Sequence, residues 1–387
     1  VSRIEGLIKE LAPEGVEFKS LGDVGEFIRG NGLQKSDLTA QGAPAIHYGQ
    51  LHTHYGIWTD TTKSFTDPTL ATKLRRAKPG DLIIATTSED DAAVAKATAW
   101  IGDGEVAVSG DAYIYRHSLD PRYVAYFFQS DKFQGQKTRH VSGTKVRRIS
   151  GTSLAKIRIP VPPLEVQSEI VRILNQFTAL EAELEAELEA RRLQYEHYRT
   201  NLLLFGDEVK SVPLGDIAVI GTGSHDTQDA VEGGDYAFYA RGRDPLRLNS
   251  FDFDENAIIT AGDGVGVGKV FHFATGKYAL HQRAYRVVPH DDVDARYVYH
   301  YLVSDFGRYL EQTSVHASVT SLRRPMFLSY PVPVPPLAEQ RRIASALDKF
   351  DALVNDLSVG LPAELAARRK QYEYYRDRLL TFEESAA

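Results

Sequence analysis

Cysteine is absent from this 387-residue chain. Its absence excludes disulfides, thiolate nucleophiles and cysteine-ligated zinc, so a cytoplasmic, metal-independent protein is the default expectation. No apolar run approaches the roughly 18 residues a membrane-spanning helix needs, so no membrane partner is expected. The N-terminus shows no signal-peptide pattern. Positive charge is not in excess either: 45 Lys and Arg stand against 52 Asp and Glu, a net charge of −7. That balance argues against a generic polyanion binder; nucleic-acid contact would require local basic patches or a basic partner. At 43% hydrophobic and 25% charged, the remainder is ordinary for a globular chain with room for two to four domains.

Catalytic motifs are missing as well. Gly262-Asp263-Gly264-Val265-Gly266-Val267-Gly268-Lys269-Val270 has the glycine content of a phosphate loop. The Walker pattern, however, needs Gly where Asp263 stands and Ser or Thr where Val270 stands, so a glycine-rich hairpin approaching a DNA backbone is the better reading. Phe27-Ile-Arg-Gly30-Asn-Gly32 has only a faint likeness to a methyl-donor loop, and the Asn/Asp-Pro-Pro-Tyr/Phe signature of amino-methyltransferases is absent. His47, His52 and His54 lie close together without an accompanying carboxylate–histidine helix motif, so they read as surface or core residues. No nuclease-like Asp…Glu-x-Lys cluster stands out. The expectation is a chain with no catalytic constellation, no metal and no cofactor.

What the chain does have is one long sequence pattern twice. Pro162-Pro163-Leu164-Glu165-Val166-Gln167 opens a helical stretch ending Arg191-Arg192-Leu193-Gln194-Tyr195-Glu196-His197-Tyr198-Arg199. Pro335-Pro336-Leu337-Ala338-Glu339-Gln340 opens another, ending Arg368-Arg369-Lys370-Gln371-Tyr372-Glu373-Tyr374-Tyr375-Arg376. The period suits a whole domain rather than a solenoid unit. Leu21-Gly22-Asp23-Val24 matches Leu214-Gly215-Asp216-Ile217, and Asp120 through Asp131 matches Asp294 through Asp305. β-rich runs predict strands at 81–85, 112–116, 257–260 and 285–288, and helices at 122–130 and 296–304. Between these landmarks the halves diverge, which reads as one scaffold with two surfaces.

The first long helix is expected from about Leu164 to Leu204, roughly 60 Å at 1.5 Å per residue. Its apolar seam reads Ile170, Ile173, Phe177, Leu180, Leu184, Leu188, Tyr195, Tyr198 and Leu202, the spacing a partner helix needs. The second seam reads Ile343, Leu347, Phe350, Leu353 and Leu357, then Leu365, Tyr372, Tyr375 and Leu379, with a break expected at Gly360-Leu361-Pro362. The offset between copies is 173 residues before that point and 177 after it. In the first copy the region is a tetrapeptide array (Leu180-Glu-Ala-Glu, Leu184-Glu-Ala-Glu, Leu188-Glu-Ala-Arg) that looks like a spacer. Paired antiparallel, such helices would throw two domains to opposite ends about a pseudo-two-fold axis. That geometry fits two separated, unlike DNA half-sites; a two-headed coiled-coil protein-interaction adaptor would share it.

The Pro-Pro-Leu-x-x-Gln openings, the Arg-Arg-x-Gln-Tyr-Glu-x-Tyr-Arg endings and Glu14-Gly15-Val16-Glu17-Phe18 with its Leu-Gly-Asp resemble specificity subunits of type I restriction–modification systems, over nearly the whole chain. The resemblance implies an α+β fold: two mixed α/β target-recognition domains separated by a pair of long antiparallel coiled-coil-like helices, as a pseudo-two-fold repeat. It implies a recognition domain at 1–157 with a short N-terminal helix, a central helix and spacer at 158–205, a second recognition domain at 206–330 and a C-terminal helix and spacer at 331–387. It further implies a non-catalytic subunit that binds double-stranded DNA at a bipartite site and docks two methyltransferase subunits, which restriction subunits join.

No base contact transfers from the family, so DNA-binding candidates come from residue chemistry. Arginine suits guanine, glutamine suits adenine, and lysine and hydroxyls hold phosphates. In the first half the candidates are Tyr48, Gln50, Lys73, Arg75, Arg76, Arg139, Ser142, Thr144, Lys145, Arg147 and Arg148. In the second they are Tyr239, Arg241, Arg243, Lys269, Ser318, Thr320, Arg323 and Arg324. Tyr48 through Gln50 stand roughly where Tyr239 through Arg241 do. The Arg-Arg pair before each Pro-rich segment could instead hold a domain against its helix. Arg191, Tyr195, Tyr198, Arg368, Tyr372 and Tyr375 are candidates for a subunit interface or for the core between the helices.

Overall fold

The computed structural model describes residues 2–313, 322–356 and 358–385. Two compact units divide the chain: Val1–Glu183 with Leu365–Ala387, and Leu184–Glu364.

The first unit is built on a five-stranded sheet ordered Gly25–Arg29, Ala112–His117, Leu82–Ala85, Ala97–Trp100, Trp58–Thr59. Leu82–Ala85 is apolar throughout and buried on both faces, which fits its central place. One face packs Ile83 and Ile114 against Ile46, Val106 and Val108 of a second sheet, ordered Ser64–Thr66, Ala43–Ile46, Val106–Val108, Arg76–Ala77. The other face packs Leu82, Ile84 and Tyr115 against Tyr123 and Phe127 of helix Pro121–Gln129 and against Val166, Ile170 and Leu174. That helix starts where the sequence calls for it: Asp120 accepts from the backbone N–H groups of Arg122 and Tyr123, and proline occupies the first turn.

The second unit repeats the strand order without a counterpart of the edge strand Trp58–Thr59. Ala218–Thr222, Ala284–Pro289, Ala257–Ala261 and Phe271–Ala274 form one sheet; Leu246–Leu248, Tyr236–Tyr239, Lys277–Leu280 and Phe253–Asp254 form the other. In both units the second sheet has one parallel pair at its centre. The shared scaffold is therefore a matter of topology as well as of landmarks.

Each domain is fastened to its long helix by the same bonds. Gln167, 1% exposed, accepts from the N–H of Asp120 at 2.9 Å and donates to the Pro162 carbonyl at 2.7 Å. Gln340, equally buried, does so with Asp294 at 2.9 Å and Pro335 at 2.7 Å. The Tyr123 hydroxyl donates to the Pro160 carbonyl, and Tyr297 to that of Pro333. These bonds explain the recurrence of Pro-Pro-Leu-x-x-Gln: a buried amide is kept where both of its ends are satisfied.

The first long helix runs unbroken over Leu164–Leu202. The second copy is two helices, Leu337–Asn355 and Leu361–Leu379, as the Gly-Leu-Pro break requires. A Cβ on Gly360 would lie 2.4 Å from the Ala352 carbonyl oxygen, so the tight return needs glycine. Within the first unit the helices run antiparallel, Phe177 meeting Tyr375 and Glu181 meeting Arg369. Two seam expectations need correction. Leu180 is exposed beside the Glu181–Arg369 ion pair, and Leu353 is exposed while Val354 is buried. Leu357 lies outside the described residues.

Candidate nucleic-acid interface

In the first unit the basic segment 139–148 ends in a small hairpin, closed by reciprocal backbone bonds between Ser142 and Arg148 and turned at Gly143, φ +94°. Thr144 and Lys145 sit at its exposed tip, and Arg139 and Arg148 are exposed beside it. Arg147 does not face outward for binding. Its guanidinium grips Asp91 through two bonds, one at 2.6 Å, and also reaches the Gly143 carbonyl. Arg147 thereby holds the Asp91 carboxyl below its usual range. The loop that carries Asp91 is fixed from behind by Lys137. This buried lysine donates to the carbonyls of Asp91, Ala92 and Val94 at 2.9–3.1 Å, and burial lowers its pKa to about 8. Asp91 was not legible as a partner of the hairpin, since 56 residues separate it from Arg147.

The other first-unit candidates divide similarly. Lys73 is exposed. Arg75 donates to the Arg29 carbonyl at 2.6 Å, and Arg76 pairs with Glu105 at 3.0 Å. Tyr48 opens the short helix Tyr48–Thr53 with its ring half-buried, its N–H donating to Ser109. Gln50 uses both ends of its amide internally, accepting from the His47 N–H and donating to Ser64 at 2.7 Å. His47 caps that helix, His52 bonds the Thr87 carbonyl and His54 is exposed, so the three histidines serve separate places.

In the second unit Asp263 organises the basic residues. It accepts from Arg241 at 2.8 Å and from Arg283, which sequence reading passed over, at 3.0 Å. Burial raises the pKa of this carboxyl, but the two guanidiniums more than offset that and hold it below its ordinary value. The glycine-rich stretch is the expected hairpin, joining strands Ala257–Ala261 and Phe271–Ala274, with Lys269 exposed. Arg243 and Arg323 are exposed, whereas Arg324 donates to the Ile220 carbonyl at 3.1 Å and so holds its helix to the sheet. Tyr239 ends a strand and packs on His272 and Tyr278, so it matches Tyr48 only in its place beside the corresponding strand. Ser318 and Thr320 lie outside the described residues.

The paired helix residues mostly face inward. Tyr195 is buried against Phe350, and burial pushes its hydroxyl pKa up to about 12. Tyr372 is buried in the first unit's core and donates to Gln129. Tyr375 stacks on Phe177 and Tyr198 on Phe350, the latter tyrosine remaining 42% exposed. Arg191 pairs with Glu187 and Gln194, and Arg368 donates to Gln371. The four tyrosines thus serve packing, while these bonds of the two arginines run along their own helices. Among the described residues no cluster of three or more His, Cys, Asp or Glu could hold a metal ion, and no helix is long and apolar enough to cross a membrane.

A family model described as the type I restriction modification DNA specificity domain matches residues 13–190 and again 206–367. The specificity subunit of the Escherichia coli type I restriction enzyme EcoR124I/EcoR124II is 35% identical over 266 residues, covering 59% of this chain and 64% of that one. A putative type I specificity subunit of Mycoplasma pneumoniae is 29% identical over 238 residues, covering 57% of this chain and 92% of that one. The match thus spans just under two thirds of the Escherichia coli relative's length. Among solved structures, the S subunit of a type I restriction-modification system from M. genitalium superposes with TM-score 0.59 at 14% identity, over 95% of this chain and 96% of that one. A chain from a study of complex assembly in the type I R-M system gives TM-score 0.60 at 16% identity, over 95% and 97%.

Proposed function

The chain belongs to the type I restriction modification DNA specificity family, and on that premise we propose that it is the subunit through which such a system reads an asymmetric, bipartite site in double-stranded DNA. The observation that carries this reading is one sheet topology occurring twice, fastened each time by the same glutamine and tyrosine bonds but bearing unlike charged loops. A duplicated scaffold with unlike surfaces suits two half-sites of different sequence.

In this role the protein is non-catalytic and works in the cytoplasm. Each recognition domain takes one half-site, and the exposed cations Lys73, Arg139, Lys145, Arg148, Arg243, Lys269 and Arg323 are among the side chains that meet DNA. The long helices set the gap and dock two methyltransferase subunits, with restriction subunits joining through the complex. A net charge of −7 leaves much of the affinity for phosphates to those partners.

Methylome sequencing of the host with and without the gene tests the reading. Loss of one split methylated motif on deletion is expected. An unchanged methylome in a host whose system is active would refute it, and would favour a protein-binding adaptor instead.

A further inference from the structure

We propose that the turn at residues 262–270, with Arg241 and Arg283 held at its base by Asp263, is the base-reading element of the second unit and takes a guanine-containing step through the major groove. The proposal rests on the DNA-specificity reading above and names the chemistry that one half-site would present.

Val265 is 94% exposed at the tip of this turn. The loop beneath it is shaped rather than slack. Gly264 and Gly268 adopt φ of +80° and +69°, and a Cβ on Gly266 would lie 2.6 Å from the Arg241 carbonyl oxygen. The backbone N–H of Leu322 donates to the Gly262 carbonyl at 2.8 Å, and the Thr260 hydroxyl donates to the Val270 carbonyl at 3.0 Å. A lone exposed valine is ordinary on a protein surface. Here it shares a depression of about 380 Å³ with Arg241 and Asp263.

Asp263 is what turns the cations into readers. It binds one terminal nitrogen from each guanidinium, Nη1 of Arg241 and Nη1 of Arg283, with a different carboxylate oxygen for each. The shared carboxylate offsets part of the repulsion between two neighbouring arginines and restricts their rotamers, while leaving each guanidinium further N–H donors. A planar donor edge of that kind matches guanine O6 and N7, and a valine methyl beside it matches the C5 methyl of a thymine.

The corresponding turn of the first unit, between Leu82–Ala85 and Ala97–Trp100, supplies the contrast. It carries Glu89, Asp90 and Asp91, exposed and acidic, with Asp91 occupied by Arg147. Glu89 and Asp90 oppose phosphate contact at the turn itself, and the exposed cations Lys145 and Arg148 lie on the adjoining hairpin instead. One scaffold position thus differs in kind between the two units, as expected of an element used in only one of them.

The test uses the full chain assembled with its methyltransferase subunits, and methylation of a DNA library with randomised positions. Asp263→Asn and Arg283→Ala should relax base preference by about 10–100-fold at one or two positions of one half-motif, leaving the other half and the gap unchanged. Val265→Ser, at a side chain too exposed to affect folding, should weaken preference at an adjacent position by a few-fold, roughly. Asp263→Glu should restore part of the preference lost in Asp263→Asn. Retention of both wild-type half-motifs by all these variants would overturn the proposal, even if Asp263→Asn lowered the melting midpoint, because the triad would then be only a brace for the turn. Failure of the wild-type complex to methylate any split motif would instead remove the DNA-specificity reading itself.

Discussion

Phe177 stacks on Tyr375 with ring centroids 5.4 Å apart and planes 26° from parallel, and in the other compact unit Phe350 stacks on Tyr198 at 5.3 Å and 23°. Phe177 and Phe350 are equivalent positions of the two sequence copies, as are Tyr198 and Tyr375. Each copy therefore gives its phenylalanine to the tyrosine of the other. The exchange is the local mark of a duplicated helix packing against its own duplicate.

Removing either ring should weaken its unit. Tyr375→Ala and Phe177→Ala should each lower the midpoint of thermal unfolding. A double-mutant cycle should show coupling of about 0.5–1.5 kcal/mol, typical of an aromatic pair. The Tyr198–Phe350 pair should couple more weakly because Tyr198 is 42% exposed. Additive losses would show that the stacking is incidental to packing.

The glutamine clamps make a stronger prediction. Gln167→Ala would leave the Asp120 N–H and the Pro162 carbonyl without their partner inside the protein, and Gln340→Ala would do the same to Asp294 and Pro335. A cost of about 1–3 kcal/mol is expected for each. Limited proteolysis should show earlier cutting near Pro162 in the first variant and near Pro335 in the second. Unchanged stability would mean that water replaces the amide without penalty.

Recurring local chemistry is what made most of the fold legible in sequence. Asp-Pro and Asp-Ala before matched helices, the apolar run 82–85 and the Gly-Leu-Pro break each act over a few residues and each forms an element where one was expected, although the helix expected at 296–304 runs on as Ala295–Thr313. Pairings over long separations were not legible. Arg147 finds Asp91, Arg76 finds Glu105 and Arg283 finds Asp263 only once strands are in register, so Arg147 and Arg76 read as open cations when they are engaged. Gln50 read as an adenine-binding side chain for a different reason: its amide is used up by the His47 N–H, three positions away, and by Ser64, fourteen away, once the short helix forms. The seam residue Leu180 misled because periodicity alone does not show that the helix turns it to solvent, while the adjacent Glu181 pairs with Arg369.

Stability should fall on mild acidification. The half-buried His117 ring has its pKa lowered to about 4 by burial, from an ordinary 6.5. Between those values the unfolded chain takes up a proton that the folded ring refuses, so stability is lost as pH drops through that window, with no contribution from this group above it. His47, His281 and His300 are lowered in the same direction by burial. Denaturant midpoints at pH 7.5 and 5 should therefore converge more closely in His117→Asn than in the unaltered protein. An equal pH response in both would exclude His117 as a contributor.

On the proposed reading of a bipartite site, the four-residue mismatch between the copies would bear on the gap between half-sites. In the second copy the extra residues fall at the interruption between Asn355 and Leu361, where the helix stops and restarts. In the first copy the same region stays helical through the Leu-Glu-Ala-Glu array. A helix of repeated tetrapeptides can lose one unit and keep its leucines in line, since Leu188 then takes the place of Leu184. Deleting residues 184–187 shortens the helix by about 6 Å and rotates its C-terminal half by roughly 40°. At about 3.4 Å per base pair, that length corresponds to a change of about two base pairs in the gap. Methylation assays on targets of graded spacing should show the optimum displaced by this amount with both half-motifs unaltered. Changed half-motif letters, or an unmoved optimum, would refute the spacer role, because a rigid ruler cannot lose a turn without moving its ends.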